Sequence, residues 1–579
     1  MFGAVGDGVA DDTQPLIDCF NYMVSTGAVF KDMSGATYKH TSDIIIYAPY
    51  QTLEIDSNCT FYSDNNHIEL RGTIEPLGTI SVATTQNSYT VTVSDATQIK
   101  PDDIIVLHNT LQYSWALHRA YYTDGEYKIV KSVSGNELTF HKALETSYAG
   151  VSTDMVYRVN PVYLKLKGFN VEAHGAFGFV IGLAHKSIIN INVSNLLNKP
   201  TSQNALFIDR CLETEITGGR YIKMGVSGSG TDYGIVFSNS QDITNRANYC
   251  YGGRHGVAVG GGGSMGSVPN RRVNTIGTTI VNQEDNKLQA ADFHGNVSDS
   301  YYKDCDIYGR ITLSGFNTSS INNKLRTPTG DNRAAIFLSE VVGGEIQSIG
   351  DTIISTGDSR FIVGWSSSTM IPLLSKPLTV RVQDITAKSS INLWGIMSVT
   401  ACSVSNSYIL DGFNLTGDIS ALIQLVTYNT AGGTIKPDYI QITRPKFSIP
   451  DSVIILAGDN GLTNITKQVF SSSGGDDIVG HWIKNSDGSM VCRQRITATL
   501  PITTTYAGGY KSDNLTWTFP KPFVRFPPTI MVVSLDNACT SIKAASTTLS
   551  QVTLFGTAIQ SFSSAGVVID AVAIGRHLY

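Results

Sequence analysis

The chain has 579 residues, a formal net charge of −6, only 16% charged residues and 54 glycines. That length exceeds one ordinary globular core, so several domains or a solenoid with appendages are expected. The acidic balance argues against a nucleic-acid partner, and no apolar run is long enough for a membrane partner by way of a spanning helix. Eight cysteines are widely scattered with no CxxC pair, which points to buried thiols rather than to a disulfide framework or a zinc site. No metal or other cofactor is expected. Met1-Phe-Gly-Ala does not read as a signal peptide.

The first segment, residues 1–78, opens Phe2-Gly-Ala-Val-Gly-Asp-Gly-Val-Ala-Asp-Asp-Thr13. Three glycines among three aspartates predict a tight loop. Asp12 or Thr13 can then cap a helix with Pro15 in its first turn. Leu16, Ile17, Phe20 and Met23 give that helix one apolar stripe, suited to covering the open end of a solenoid. The glycines lack the Lys-Ser/Thr and the preceding strand of a phosphate-binding loop. FGAVGDGVADDT resembles the entry motif of the pectate-lyase-like β-helix superfamily, and especially of bacteriophage tailspike depolymerases. In that family the motif is structural, so the resemblance lends its aspartates no catalytic role.

Residues 79–160 have a different texture. Tyr89-Thr-Val-Thr-Val93 alternates, and Gly135-Asn136 makes a turn into Leu138-Thr-Phe140, so a small antiparallel β-insertion is expected. Tyr113, Trp115, His118, Arg119, Tyr121 and Tyr122 form an aromatic, basic patch on one of its loops. It packs on the solenoid or offers a sugar-stacking surface, with Trp115 and Tyr121 as the binding candidates.

From 161 to 465 the chain keeps restarting one pattern, an apolar burst followed by polar corners. The bursts are Ala205-Leu-Phe-Ile-Asp209, Tyr233-Gly-Ile-Val-Phe237, Gly256-Val-Ala-Val-Gly260, Ala290-Ala-Asp-Phe-His294, Gly309-Arg-Ile-Thr-Leu313 and Arg333-Ala-Ala-Ile-Phe337. One such unit cannot bury its apolar face alone, but a stack can. The fold class expected is all-β, a right-handed parallel β-helix with three strands per coil, the hand following from the rule for parallel crossovers. Asn190, Asn192, Asn195, Asn322 and Asn323 suit its corners, because Asn tolerates left-handed backbone.

Strand alternation then places chemistry. With Ala291 and Phe293 inward, Asp292 and His294 point outward. Pairing the apolar bursts sets Val257 and Val259 beside Ala291 and Phe293, so a carboxylate and an imidazole border a bare strip at Gly260–Gly263. Glycoside hydrolysis needs two carboxyl groups, for which Asp292, Glu284 and Asp285 are the candidates. Elimination needs a base and a cation, for which His294 or His255 with Arg254, Arg271 or Arg272 would serve. Tyr301 and Asp304, in the same turn of the solenoid, are further substrate-binding candidates. Arg271-Arg272 reads equally as a bridge from a long loop to the core.

Residues 466–579 begin with a linker-like Ser471-Ser-Ser-Gly-Gly-Asp-Asp477 and continue as alternating strands with hairpin signals such as Asp487-Gly488. A C-terminal antiparallel β-sandwich is expected, similar to trimerising, sometimes glycan-binding modules of phage tail fibres. The resemblance implies a homotrimer on the virion tail, attached to the phage tail or baseplate through a region upstream of Met1. Its partner would be a bacterial capsular or O-antigen polysaccharide. Hydrolysis is the first reading, lyase chemistry the second, and a non-enzymatic adhesin the third. The Asn-Thr-Asp and Arg-Ile-Lys signatures of polygalacturonases do not occur in the chain.

Overall fold

The computed structural model describes residues 2–114, 119–196, 203–225, 232–262, 265–283, 289–327 and 334–355, and beyond 355 mainly the strands. The six apolar bursts fall on strands Asn204–Asp209, Tyr233–Ser238, His255–Val259, Gln289–Phe293, Arg310–Phe316 and Ile336–Ile349. Each lies parallel to the next, in the order of the sequence. Other columns stack the same way: Gln241–Arg246 pairs with Asn270–Ile276, and Tyr249–Gly252 with Thr279–Asn282. These are the three-stranded coils of a parallel β-helix. Alternation fills its inside: Leu206, Ile208, Ile235, Phe237, Val257, Val259, Ala291, Phe293, Ile311 and Leu313 are each no more than 1% exposed.

Corners are turned by left-handed residues in register, including Lys186, Glu213, Asp242 and Arg272. Buried asparagines close others. Asn323 Nδ2 donates to the Tyr302 carbonyl at 2.9 Å, and its Oδ1 accepts the Cys305 N–H at 2.8 Å. Asn190 and Asn192, by contrast, lie within strand Ile188–Asn195, where Asn192 bonds Asn170 of the neighbouring strand at 2.9 Å. The strand holds both residues, Asn192 in a side-chain amide bond across it, and the expected corner is not there.

Helix Thr13–Thr26 buries Leu16, Phe20 and Met23, and the Phe20 ring lies 6.0 Å from Phe61 of the first coils. Asp12 occupies its N-cap position without capping it. Its carboxylate instead accepts the Val5 and Gly6 N–H groups at 2.6 and 3.0 Å, which ties down the glycine loop.

The insertion is a six-stranded antiparallel sheet beginning at strand Thr73–Thr79, a few residues before the expected start at 79. One face makes its own core around Ile105, Leu107, Val130 and Phe140. On the other, Ile104, Val106, Tyr127 and Tyr157 pack against Leu183, Leu212 and Val268 of the coils. Each such side chain taken from water contributes about 1.5–3 kcal/mol, so the insertion is welded to the solenoid rather than tethered to it.

The chain divides into two units, the second formed mainly by Leu462–Tyr579. There, eight antiparallel strands are built around the long pair Ser489–Tyr506 and Phe562–Arg576. The linker-like 471–477 and Asp487-Gly488 lie outside the described residues.

Candidate active site

The register along the bursts sets one outward row: Phe207, Val236, Ala258, Asp292, Thr312 and Phe337. Asp292 is therefore where alternation places it, with small neighbours on both sides. Outward is not exposed, however: Asp292 is only 8% accessible. Its Oδ2 lies 3.0 Å from His294 Nε2 and 3.3 Å from His255 Nε2. The other nitrogen of His294, Nδ1, is 2.6 Å from the Tyr122 hydroxyl, which arrives from the insertion. The result is a chain Tyr122–His294–Asp292 in which both imidazole nitrogens are engaged.

Burial opposes the charge of Asp292, but His294, His255 and Arg119 outweigh it and hold the carboxyl well below its usual range. Burial keeps the Tyr122 phenol far above its ordinary value. Burial also depresses His255 to about 4, against the pull of Asp292. At neutral pH the site thus holds an ionised carboxylate and a neutral, proton-bearing phenol. His255 Nδ1 faces the Gln289 carbonyl, so a neutral His255 carries its proton there. Its Nε2 then has no hydrogen-bond partner and turns a lone pair toward Asp292.

Arg119, also from the insertion, pairs with Glu340 at 2.5 Å, and Glu340 accepts the Gly295 N–H at 3.1 Å. This clamp fixes the insertion loop over the coils. Arg254 differs. Among the described residues it forms no ion pair, its buried Nε has no hydrogen-bond partner, and it lies over the Tyr233 ring at 5.9 Å. Tyr233 in turn stacks on His255, centroid to centroid 5.3 Å at 9°.

In the bare strip, the described glycines Gly260–Gly262 are covered rather than open. A Cβ on Gly260 would lie 2.3 Å from His294 Nδ1, and one on Gly262 would lie 3.1 Å from both the Tyr121 carbonyl and the Tyr122 ring. The strip is bare because the imidazole and the insertion loop fill it. Gly260→Ala should therefore push the His294 ring out of line and lower turnover about a hundredfold, since ångström-scale misplacement has that effect. Thermal melting should change little. Wild-type turnover in this variant would show that the His294 position is immaterial.

Arg271 and Arg272 are not turned to Asp292. Arg271 bonds Asp124, the Gly125 carbonyl and Thr146 at 3.1–3.3 Å and pairs with Glu145, while Arg272 holds Asp242 at 2.6 Å and Glu145 at 2.9 Å. Both rivet the insertion to the coils, which leaves no guanidinium N–H fork for a substrate. Tyr301 lies on strand Tyr301–Lys303, paired with Ser319, and Asp304 at the left-handed corner after it. Both belong to later faces of the coil than Asp292. Tyr121 is 48% exposed beside Tyr122, with ring centroids 4.9 Å apart. Glu284, Asp285 and Trp115 lie outside the described residues. Sequence reasoning did not name Glu340, which no local pattern marks.

Residues 201–434 match the family described as Gp49, pectin lyase-like, and residues 69–159 match the tailspike protein-like, Ig-like domain. No curated protein matches the chain. Among solved structures, the tailspike protein gp49 from Pseudomonas phage LKA1 superposes with a TM-score of 0.74 at 20% identity, over 100% of this chain and 99% of that one. The gp54 tailspike of Acinetobacter baumannii bacteriophage AP22, solved with A. baumannii capsular saccharide, gives 0.68 at 17% identity over 99% and 94%. The tailspike gp61 of Pseudomonas phage phi297 gives 0.67 at 18% over 99% and 98%. The antiparallel insertion thus matches a tailspike-type Ig-like domain, the central coils match the Gp49 pectin lyase-like family, and the chain shares the fold of these solved tailspikes.

Proposed function

We propose that this chain is a phage tailspike depolymerase that cleaves an acidic bacterial surface polysaccharide, capsule or O-antigen, by β-elimination. As the resemblance implies, it would act as a homotrimer on the virion tail. The observation that carries the chemistry is the Tyr122–His294–Asp292 chain, together with Arg254, which forms no ion pair among the described residues and lies over the Tyr233 ring that stacks on His255. Hydrolysis, the first reading of the sequence, needs a second carboxyl that can ionise or protonate at the bond. Glu340 is held by Arg119 and the Gly295 N–H, which leaves Asp292, among the described residues, as the one carboxylate of the cluster turned to the imidazoles.

In elimination, Arg254 binds the uronate carboxylate and so acidifies the adjacent C5–H. The Tyr122 hydroxyl leaves His294 for the glycosidic oxygen, freeing Nδ1 to take the C5 proton. The C5–H electron pair becomes the C4–C5 double bond, and the C4–O pair departs with the oxygen, which receives the phenolic proton. The imidazolium, stabilised by Asp292, then returns a proton to the phenolate, and both groups regain their starting states.

Incubation with a panel of purified acidic and neutral polysaccharides should yield the ultraviolet absorbance of an unsaturated uronate from an acidic member. Arg254→Ala should lower kcat/KM on it about a hundredfold, the scale of losing one charge-stabilising donor. Reducing ends without that absorbance would mean hydrolysis and transfer the second carboxyl's role to Glu284 or Asp285. Binding without cleavage would mean an adhesin.

A further inference from the structure

A cavity of about 240 Å³ lies between the Ig-like insertion and the first coils, lined by Tyr50, Asp102, Asp103, Ile104, Pro161 and Tyr163, among others. Two turns supply its rim, and they are built alike. In Ala48-Pro-Tyr-Gln51 the Gln51 N–H bonds the Ala48 carbonyl at 3.1 Å; in Lys100-Pro-Asp-Asp103 the Asp103 N–H bonds the Lys100 carbonyl at 3.2 Å. Each has proline second and a left-handed residue third, Tyr50 at φ 60° and Asp102 at φ 70°. This is the type II pattern, whose third position favours glycine. A tyrosine there is an outlier and an aspartate only tolerated. Both turns carry strain to present a side chain, and both side chains line the same cavity.

The chemistry of the lining is specific. The Tyr50 ring is pinned, because its hydroxyl donates to Asn160 Oδ1 at 2.6 Å. Tyr163 stands beside His185, ring centroids 6.0 Å apart. Asp103 accepts the Lys100 N–H through one oxygen at 3.0 Å, which leaves the other for a ligand. Tyrosine faces take the apolar face of a pyranose, and carboxylates accept its hydroxyls. The cavity is sized for a single sugar ring.

We infer that this cavity is an accessory saccharide-binding site, separate from the Asp292 cluster, which holds one neutral or amino sugar residue of the polymer. Its ligand class rests on the depolymerase reading; its existence does not, because binding is measured without cleavage. The probes are the methyl glycosides of glucose, N-acetylglucosamine and glucosamine, titrated into the full chain and its Asp292→Asn variant and followed by saturation-transfer NMR. At least one should bind both proteins equally. The double variant Tyr50→Gly/Asp102→Gly removes the ring and one of the two lining carboxylates, leaving Asp103, while relieving both turns. It should weaken that binding at least tenfold and melt at the same temperature as the parent or higher. Absence of binding by the parent, unchanged binding by the double variant, or a lower melting temperature in it would overturn the proposal. Cleavage lost in Asp292→Asn with glycoside binding retained would support both readings. Cleavage retained with binding intact would overturn only the active-site assignment.

Discussion

Asp292→Asn should lower turnover by about 10²- to 10⁴-fold while leaving the fold and polysaccharide affinity in place. The amide keeps the shape of the carboxylate in a position only 8% exposed, so packing is unaltered. What changes is His294. The carboxylate accepts the Nε2–H at 3.0 Å and so leaves the Nδ1 lone pair for Tyr122 and for the substrate proton. An amide can turn its NH₂ toward Nε2 instead, which moves the proton to Nδ1 and removes the base. It also takes away the charge that stabilises the imidazolium. The same exchange in a Ser-His-Asp triad costs about 10⁴ for this reason, and general acid–base groups generally contribute about 10² or more. Turnover is read as unsaturated ends released per minute, folding by circular dichroism, and affinity by sedimentation with intact polymer. Turnover within threefold of the parent would remove Asp292 from the mechanism.

The second large effect is expected at Tyr122, which belongs to the Ig-like insertion and not to the coils. Tyr122→Phe keeps the ring that meets Tyr121 at 4.9 Å and sits 5.8 Å beneath Arg119, and deletes only the hydroxyl. A phenol held protonated by burial is suited to the acid's role. Its loss should lower kcat about 10²- to 10⁴-fold with KM nearly constant, the scale of a general acid. If the hydroxyl merely props the His294 ring, the loss should stay below tenfold and the pH profile of kcat should keep its basic limb. That outcome would place the acid elsewhere. The full effect would make the insertion part of the catalytic machinery.

The coils were legible because their signal is local and repeated. Leu206, Ile235, Val257, Ala291 and Ile311 recur at each restart, and pairing those bursts sets Asp292 between Ala258 and Thr312. A slip of one residue would turn every inward side chain out, so the register is strongly specified. The aromatic loop of the insertion was also legible as a cluster, Arg119, Tyr121 and Tyr122 among it. Its destination was not. Tyr122 and His294 are 172 positions apart, and Arg119 and Glu340 are 221 apart. No periodicity links residues at such separations.

Two points could not be decided from the sequence, for a related reason. Glycine at 260–262 looks the same in a sequence whether it borders an empty groove or makes room for a neighbour. Only the approach of His294 and the Tyr121–Tyr122 segment separates the two. Arg271 and Arg272 likewise are cations in search of carboxylates, and the carboxylates they meet, Asp124 and Glu145, come from the insertion. By itself the sequence determined the parallel coils, their register, the outward position of Asp292 and His294, and the family likeness of the opening motif. All of these are set by side-chain alternation and local backbone preference, which act over a few residues and repeat. The tertiary structure alone decided which outward groups are covered, which cations are already paired and which hydroxyl reaches His294. Those follow from the docking of one folded sheet on another, where burial and ion pairing depend on surfaces that no single stretch of chain encodes.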